Sequence, residues 1–163
     1  EISACLVGSE MCIRDRGSAY RELNDYQRAI QDLDRAIELD PQNDFAYADR
    51  GSAYWGLNDY QRAIQDLDRA IELNPNHPWA YGSRGEAYRE LEDYQRAIQD
   101  LNQAIKLDPN YAWAYGSRGR AYFSLKQYQR AIQDFDHALE LDRTLDWVKT
   151  DRAEAYRLLK NQR

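Results

Sequence analysis

Residues 50–67 read RGSAYWGLNDYQRAIQDL, and close copies of this stretch follow one another along the chain. The copies are 34 residues apart, and one tyrosine in each keeps the spacing without a slip: Tyr20, Tyr54, Tyr88, Tyr122 and Tyr156. A fixed period of this length is typical of a repeat protein, in which one small structural unit occurs several times in succession.

Each unit carries two helical patterns separated by a turn at Asn58 and Asp59. Tyr47, Gly51 and Tyr54 lie at helical spacing before the turn. A second set at helical spacing follows it: Tyr60, Ala63, Ile64, Leu67, Ala70 and Ile71. The pattern predicts a hairpin of two amphipathic helices. Because a single hairpin leaves an apolar face bare, neighbouring hairpins must stack to bury it.

Small residues and prolines shape the predicted hairpin. Gly51 and Ala63 are small where large side chains would hold two helices apart. Pro75 cannot continue the second helix, so it sets the corner into the next unit. Arg50 and Asp66 lie on the first and second helix, and the pair recurs in each unit. We expect an ion pair within each hairpin, with two separately solvated charges as the alternative.

The unit resembles a tetratricopeptide repeat at its small, aromatic and proline positions: Gly51, Tyr54, Ala63, Ala70 and Pro75. Three positions depart from the family pattern: Tyr47, Arg50 and Leu67. The resemblance implies an all-α fold, a right-handed α-solenoid of helix-turn-helix repeats, with four repeats plus a C-terminal capping helix.

By the phasing of that family, residues 1–163 form a single array. The expected repeats are about 10–43, 44–77, 78–111 and 112–145, and the capping helix is 146–163. The alternative for the last segment is a longer array that is cut short there. Residues 1–15 match no other unit and resemble translated adapter sequence, so we expect this segment to be non-native and residues 1–9 to be poorly ordered or non-native.

Composition and motifs argue against several classes of function. The formal net charge is -6, with basic and acidic residues interleaved throughout, which predicts no nucleic-acid binding and no membrane contact by this segment. Neither His77 nor His137 has a nucleophile or paired acid placed by the repeat. Cys5 and Cys12 lack other ligands at metal-binding spacing. We therefore expect no enzyme activity, no cofactor and no metal, and weakly favour a cytoplasmic protein.

The resemblance implies that first-helix positions line a concave groove for a peptide or partner helix. These positions carry the candidate binding residues, most of which vary between otherwise copied units: Phe45, Trp55, Trp79, Glu86, Arg89, Trp113, Arg120, Phe123 and Trp147. We expect Trp55, Arg89, Arg120 and Phe123 to form one contact patch for a partner segment with apolar and acidic groups. Phe45, Trp79, Trp113 and Trp147 repeat once per unit; alternatively, they pack against the preceding corner and stiffen the stack.

These features predict a non-catalytic scaffold for a protein or peptide ligand. The Lys and Asn positions by which some members grip a chaperone C-terminus are replaced here by residues such as Gly82 and Glu86, so we expect no clamp of that type. The alternatives are a self-associating array, or the interaction arm of a larger enzyme or membrane-associated protein.

Overall fold

The computed structural model describes residues 10–161, and this part of the chain folds into nine helices without a strand. The helices are α1 Glu10–Glu22, α2 Tyr26–Leu39, α3 Asp44–Gly56, α4 Tyr60–Leu73, α5 Pro78–Glu90, α6 Tyr94–Leu107, α7 Ala112–Ser124, α8 Tyr128–Leu141 and α9 Asp146–Asn161. The all-α fold class is therefore confirmed. The segment expected to be poorly ordered or non-native, residues 1–9, lies outside the described residues.

Successive helices pair as antiparallel neighbours: α1 with α2, α3 with α4, α5 with α6 and α7 with α8. The second helix of each hairpin also packs on the first helix of the next one. First helices of successive hairpins contact each other, whereas among the described residues the second helices do not. First helices are thus crowded together on one side of the stack, which makes that side the inner, concave wall.

The turn inside each hairpin is built around one residue with a positive φ angle. In the second hairpin this residue is Asn58, with φ of 62°. The Asp59 amide donates to the Tyr54 carbonyl at 2.9 Å, which satisfies a helix-end acceptor and closes a Schellman turn. Asn tolerates this left-handed conformation better than most residues, which explains its place at the turn.

Aspartate caps the second helix in three of the four hairpins. The carboxylates of Asp25, Asp59 and Asp93 accept hydrogen bonds from the backbone amides of the residues three positions later: Arg28, Arg62 and Arg96. The same arginines also pair with the cap carboxylates through their side chains. Gln127 takes this position in the fourth hairpin, and its side chain makes no capping hydrogen bond to α8.

Replacing Gln127 by aspartate is expected to stabilise the array. The new carboxylate would accept a hydrogen bond from the backbone amide of Arg130, as in the other three hairpins. Nη1 of Arg130 already donates to Oε1 of Gln127 at 2.9 Å. An N-cap hydrogen bond of this kind contributes about 0.5–2 kcal/mol to the free energy of unfolding. Urea unfolding of Gln127→Asp checks the gain, and Asp93→Gln is the reciprocal control, which should lower stability. A Gln127→Asp variant no more stable than the parent would contradict the capping role.

The gain from Gln127→Asp should also depend on pH. Hydrogen bonds to the backbone and side chain of Arg62 lower the pKa of Asp59, and Arg96 does the same for Asp93. A carboxylate with a lowered pKa in the folded state stabilises above its unfolded pKa of about 3.9, and this contribution is lost as pH falls through the folded pKa. The difference between Gln127→Asp and the parent should therefore be present at neutral pH and vanish in acid.

The core consists of four apolar clusters between neighbouring hairpins. Ala63, Leu67 and Ala70 of α4 are fully buried with Ala80 and Ala87 of α5. At the last interface, Phe135 of α8 is fully buried against Val148 and Ala155 of α9. Helix α9 therefore covers the apolar face of the fourth hairpin, which is what a capping helix must do in a stacked array.

The expected ion pair is present in every hairpin. Arg50 donates from Nε and Nη2 to both carboxylate oxygens of Asp66, each at 2.7 Å. The remaining Nη1 donates at 2.6 Å to Asp34, which lies on α2 of the preceding hairpin. Arg84 repeats this arrangement with Asp100 and Asp68. The alternative of separately solvated charges is therefore wrong, and the second, inter-hairpin partner was not foreseen from the sequence.

Candidate functional site

A cavity of about 400 Å³ opens on the inner wall of the array. Residues of α1, α3, α5 and the start of α7 line it, together with Asn24 of the turn between α1 and α2 and Tyr26, the first residue of α2. Its aromatic lining residues are Tyr26, Trp55, Trp79, Tyr111 and Trp113. Its charged lining residues are Arg21, Glu22 and Glu86. The cavity is therefore a property of several hairpins and not of one unit.

The aromatic walls come from two kinds of position. Trp55 lies near the end of α3 and is 36% exposed, so its ring faces the groove. Trp79 and Trp113 lie in the first turns of α5 and α7 and are partly buried. Tyr111 lies in the corner before α7, and its ring stacks on Trp113 with centroids 6.0 Å apart. Trp113 thus packs on its preceding corner and also lines the cavity.

Glu86 is the most buried charged residue of the cavity. Its side chain is 5% exposed, and Oε2 accepts a hydrogen bond from Arg89 one helical turn later, at 3.0 Å. Arg89 also pairs with Glu90. One guanidinium therefore serves two carboxylates, and this group keeps one net negative charge. Oε1 of Glu86 has no hydrogen-bond partner among residues 10–161.

Burial and negative charge act on the neighbouring tyrosine. Burial raises the pKa of the Tyr111 phenol, and the charges of Asp108 and Glu86 raise it further. Tyr111 therefore stays neutral over the whole physiological range and can present its ring and hydroxyl to a ligand.

Arg21 closes the other side of the cavity. Its guanidinium lies over the ring of Trp79, 5.2 Å from the centroid. Its Nε lies 3.3 Å from Asp49, an acid that also accepts a hydrogen bond from Ser18 at 2.5 Å. Burial raises the pKa of Asp49, and the Ser18 hydrogen bond and the charge of Arg21 oppose that rise. The charge of Arg21 is therefore balanced within the protein.

The predicted binding residues divide into two groups. Trp55, Trp79, Glu86 and Trp113 share the cavity, whereas five others do not line it: Phe45, Arg89, Arg120, Phe123 and Trp147. Of the expected four-residue patch, only Trp55 is in the cavity, so the structure does not bring the patch together there. Whether any of these residues binds a partner stays a prediction.

The residues outside the cavity have contacts of their own. Arg120 donates to Asp151 of α9 at 2.6 Å and lies over the ring of Trp147, 4.0 Å from its centroid. Phe123 packs against Tyr128 with centroids 5.4 Å apart and adjoins the core cluster at α8 and α9. Phe45 is 48% exposed and packs on His77 with centroids 4.7 Å apart.

Metal sites and membrane spans are both absent from the described part of the chain. Within residues 10–161, no group of three His, Cys, Asp or Glu side chains is placed to hold a metal ion. No helix in that range has the length and apolar character that a bilayer span requires.

Two family models described as tetratricopeptide repeat match the sequence, one over residues 14–78 and 48–112 and the other over residues 85–162. Together they cover well over half of the chain. The chain belongs to the tetratricopeptide repeat family. Among curated proteins, none matches it significantly.

Solved tetratricopeptide repeat structures resemble this array closely. The Arabidopsis OM64 TPR domain is 30% identical, with a TM-score of 0.68, over 70% of this chain and 94% of that domain. The first TPR of Spaghetti (RPAP3), solved bound to the HSP90 peptide SRMEEVD, is 27% identical, with a TM-score of 0.68, over 71% of this chain and 92% of that one. The thermophilic TPR protein TTC0263 of Thermus thermophilus has a TM-score of 0.84 over 93% of this chain and 83% of that one; at 22% identity it shows the fold alone.

Sequence reasoning did not select all the cavity residues of this tetratricopeptide repeat array. Tyr111 was not among the predicted binding residues, although the other units carry Asn43, His77 and Leu145 at that position. This departure from the copied pattern was the available signal. Tyr26, by contrast, recurs in every unit, so nothing in the sequence marks it, and only the packing of the second hairpin on the first brings it to the cavity.

Proposed function

We propose that this array is a non-catalytic scaffold that binds a peptide or partner helix in its concave groove. The observation that carries the proposal is the aromatic cavity on the inner wall, open to solvent and built by three successive hairpins and the start of α7. Tryptophan and tyrosine contribute large contact areas at protein interfaces and are enriched among residues that dominate binding energy. An extended segment lying along the first helices would place one side chain in this cavity.

The RPAP3 repeat domain supports a peptide ligand, because it shares this fold and was solved with a peptide bound. The acidic HSP90 tail itself is a poor match for this chain. Glu86 lines the cavity and would repel a carboxylate, and no lysine lines it. The net charge of -6 also disfavours nucleic acid and anionic membrane as partners. The proposed ligand is therefore a protein segment other than a chaperone tail.

Peptide selection on the immobilised array tests the proposal. A library of random peptides displayed on phage should yield sequences that bind the parent protein and bind Trp55→Ala at least about tenfold more weakly, because an anchoring aromatic side chain is lost. Trp55 belongs to none of the apolar core clusters, so this variant should stay folded.

Leu39→Ala is the control, since Leu39 is an exposed apolar residue of the second helix α2 and lies outside the cavity. It should bind the selected peptides as the parent does. Equal binding by parent and Trp55→Ala, or a selection that yields no binder, would argue against a peptide site in this cavity.

A further inference from the structure

One oxygen of the buried Glu86 carboxylate in the cavity accepts no hydrogen bond from the described residues. Glu86 is 4% exposed as a residue, lines the cavity, and has one oxygen without a hydrogen-bond partner in the described structure. An unpaired acceptor on a buried charged group is unfavourable, and a charged donor is the partner that satisfies it best. The site therefore favours a ligand that brings a hydrogen-bond donor with positive charge.

The charges around Glu86 point the same way. Arg89 is the ion-pair partner of Glu86, and Glu86 shares it with Glu90. Arg21, the cation across the cavity, is paired with Asp49 and also lies within 3.9 Å of Glu22. Counting these groups, two arginines face four carboxylates, so the cavity and its immediate surroundings carry a net negative charge. The charge of each arginine is thus offset by carboxylates of the protein itself.

The aromatic walls suit the same ligand. The electron-rich face of an indole ring attracts an organic cation within about 6 Å. The protein already uses this contact, since Arg21 lies over Trp79 and Arg120 over Trp147. A carboxylate and aromatic rings lining one cavity together suit the end of a long basic side chain. Apolar stems of lysine and arginine can rest on Trp55 and Trp113 at the same time.

We propose that this cavity, formed by Glu86 with Trp55, Trp79, Tyr111 and Trp113, receives a lysine or arginine side chain of a bound peptide. The inference rests on the proposed function and names the ligand chemistry of that site. The binding step is non-covalent. The ammonium or guanidinium group pairs with the carboxylate of Glu86 beside the aromatic lining residues.

Indole N–H signals in nuclear magnetic resonance spectra test the inference directly. The probes are acetylated, amidated pentapeptides with two glycines on each side of lysine, arginine, norleucine or glutamate. We expect the lysine or arginine peptide, at millimolar concentrations, to shift the signals of Trp55, Trp79 and Trp113 saturably. The signal of Trp147, which lies outside the cavity, should not move and serves as an internal reference. Norleucine and glutamate peptides should leave all four signals in place.

Two variants with the same chemical change give the matched comparison. Glu86→Gln removes the negative charge in the cavity and should weaken binding of the basic peptides at least about tenfold. Glu72→Gln makes the same change at an exposed partner of Arg69 on α4, outside the cavity and its surrounding charges, so it should bind as the parent does. Thermal unfolding followed by circular dichroism verifies that both variants are folded.

Several outcomes would overturn the inference. Equal binding by Glu86→Gln and the parent would remove the role of the carboxylate. If the norleucine peptide bound as tightly as the lysine peptide, the cavity would be an apolar pocket without preference for a cation. The proposed function as a peptide-binding scaffold would not be contradicted by that result. Unchanged indole signals with both basic peptides would reject the receptor for cations, while the phage selection decides separately whether the groove binds peptides at all.

Discussion

Arg84→Ala is expected to lower the free energy of unfolding by about 2–3 kcal/mol, because Arg84 pairs with Asp100, a nearly buried aspartate that has no other cationic partner among residues 10–161. Arg84 binds both oxygens of Asp100 at 2.7 and 2.8 Å and reaches Asp68 of the preceding hairpin at 2.6 Å. The side chain of Asp100 is only 9% exposed, so truncation would leave a carboxylate poorly solvated and unpaired. The estimate lies below the about 3–5 kcal/mol of a fully buried pair because Asp68 remains in contact with solvent.

The effect of Arg84→Ala should also extend across the interface between hairpins. The arginine joins α5 to α6 within one hairpin and to α4 of the hairpin before it, so its loss weakens two contacts at once. Urea unfolding gives the urea concentration at the midpoint and the dependence of the unfolding free energy on urea concentration. Arg35→Ala is the control, because Arg35 pairs only with Glu38 on the same exposed helix face and should change stability by less than about 0.5 kcal/mol. Similar losses of unfolding free energy in the two variants would contradict the role of Arg84 in joining the two hairpins.

Gly85→Ala is expected to destabilise the array by about 1–3 kcal/mol, although alanine is the better helix former. A methyl group at residue 85 would lie 2.8 Å from Cγ of Leu101 and 3.1 Å from the carbonyl oxygen of Ala97. Both atoms belong to α6, and Cγ of a fully buried leucine cannot move away without displacing its neighbours. The substitution would therefore push the two helices of the hairpin apart.

Gly82→Ala is a control with the same chemical change in the same helix. The three atoms nearest to its methyl group would be side-chain atoms of Tyr111 and Trp113, at 3.1 Å or more, and not backbone atoms of a neighbouring helix. Both variants gain the same helix propensity, so the difference between their urea midpoints isolates the contact with α6. Should Gly82→Ala prove the more damaging of the two, close approach of the helices at Gly85 would not be the reason for glycine there.

The contacts within one hairpin could be predicted from the sequence. The period of 34 residues, the apolar spacing on both sides of Asn58 and the small residue at Gly51 together specify two helices that cross closely. The pairing of Arg50 with Asp66 follows from the same local geometry and is observed. These features involve residues close in the chain, whose relative positions a helical hairpin determines almost completely.

The residues of the aromatic cavity could be predicted only in part. Trp55, Trp79, Glu86 and Trp113 were selected because they depart from the copied pattern or repeat once per unit on the inner helices. The sequence did not predict that Arg89 pairs with Glu86 and Glu90. Nor did it predict that Arg120 pairs with Asp151. A pattern shows which side of a helix a residue lies on, but it does not show which neighbour neutralises its charge.

The sequence by itself determined the repeating unit, its two helices and its turn, because each depends on residues a few helical turns apart. For the ion pair within the hairpin it left two separately solvated charges as an alternative, and the structure shows the pair. Only the tertiary structure decided how far each hairpin is rotated and displaced against the next. That displacement brings Asp34 to Arg50, and Tyr111 to the cavity shared with Trp55 and Glu86. The physical reason is that stacking geometry results from the packing of many side chains between units, which no single copy of the repeat contains.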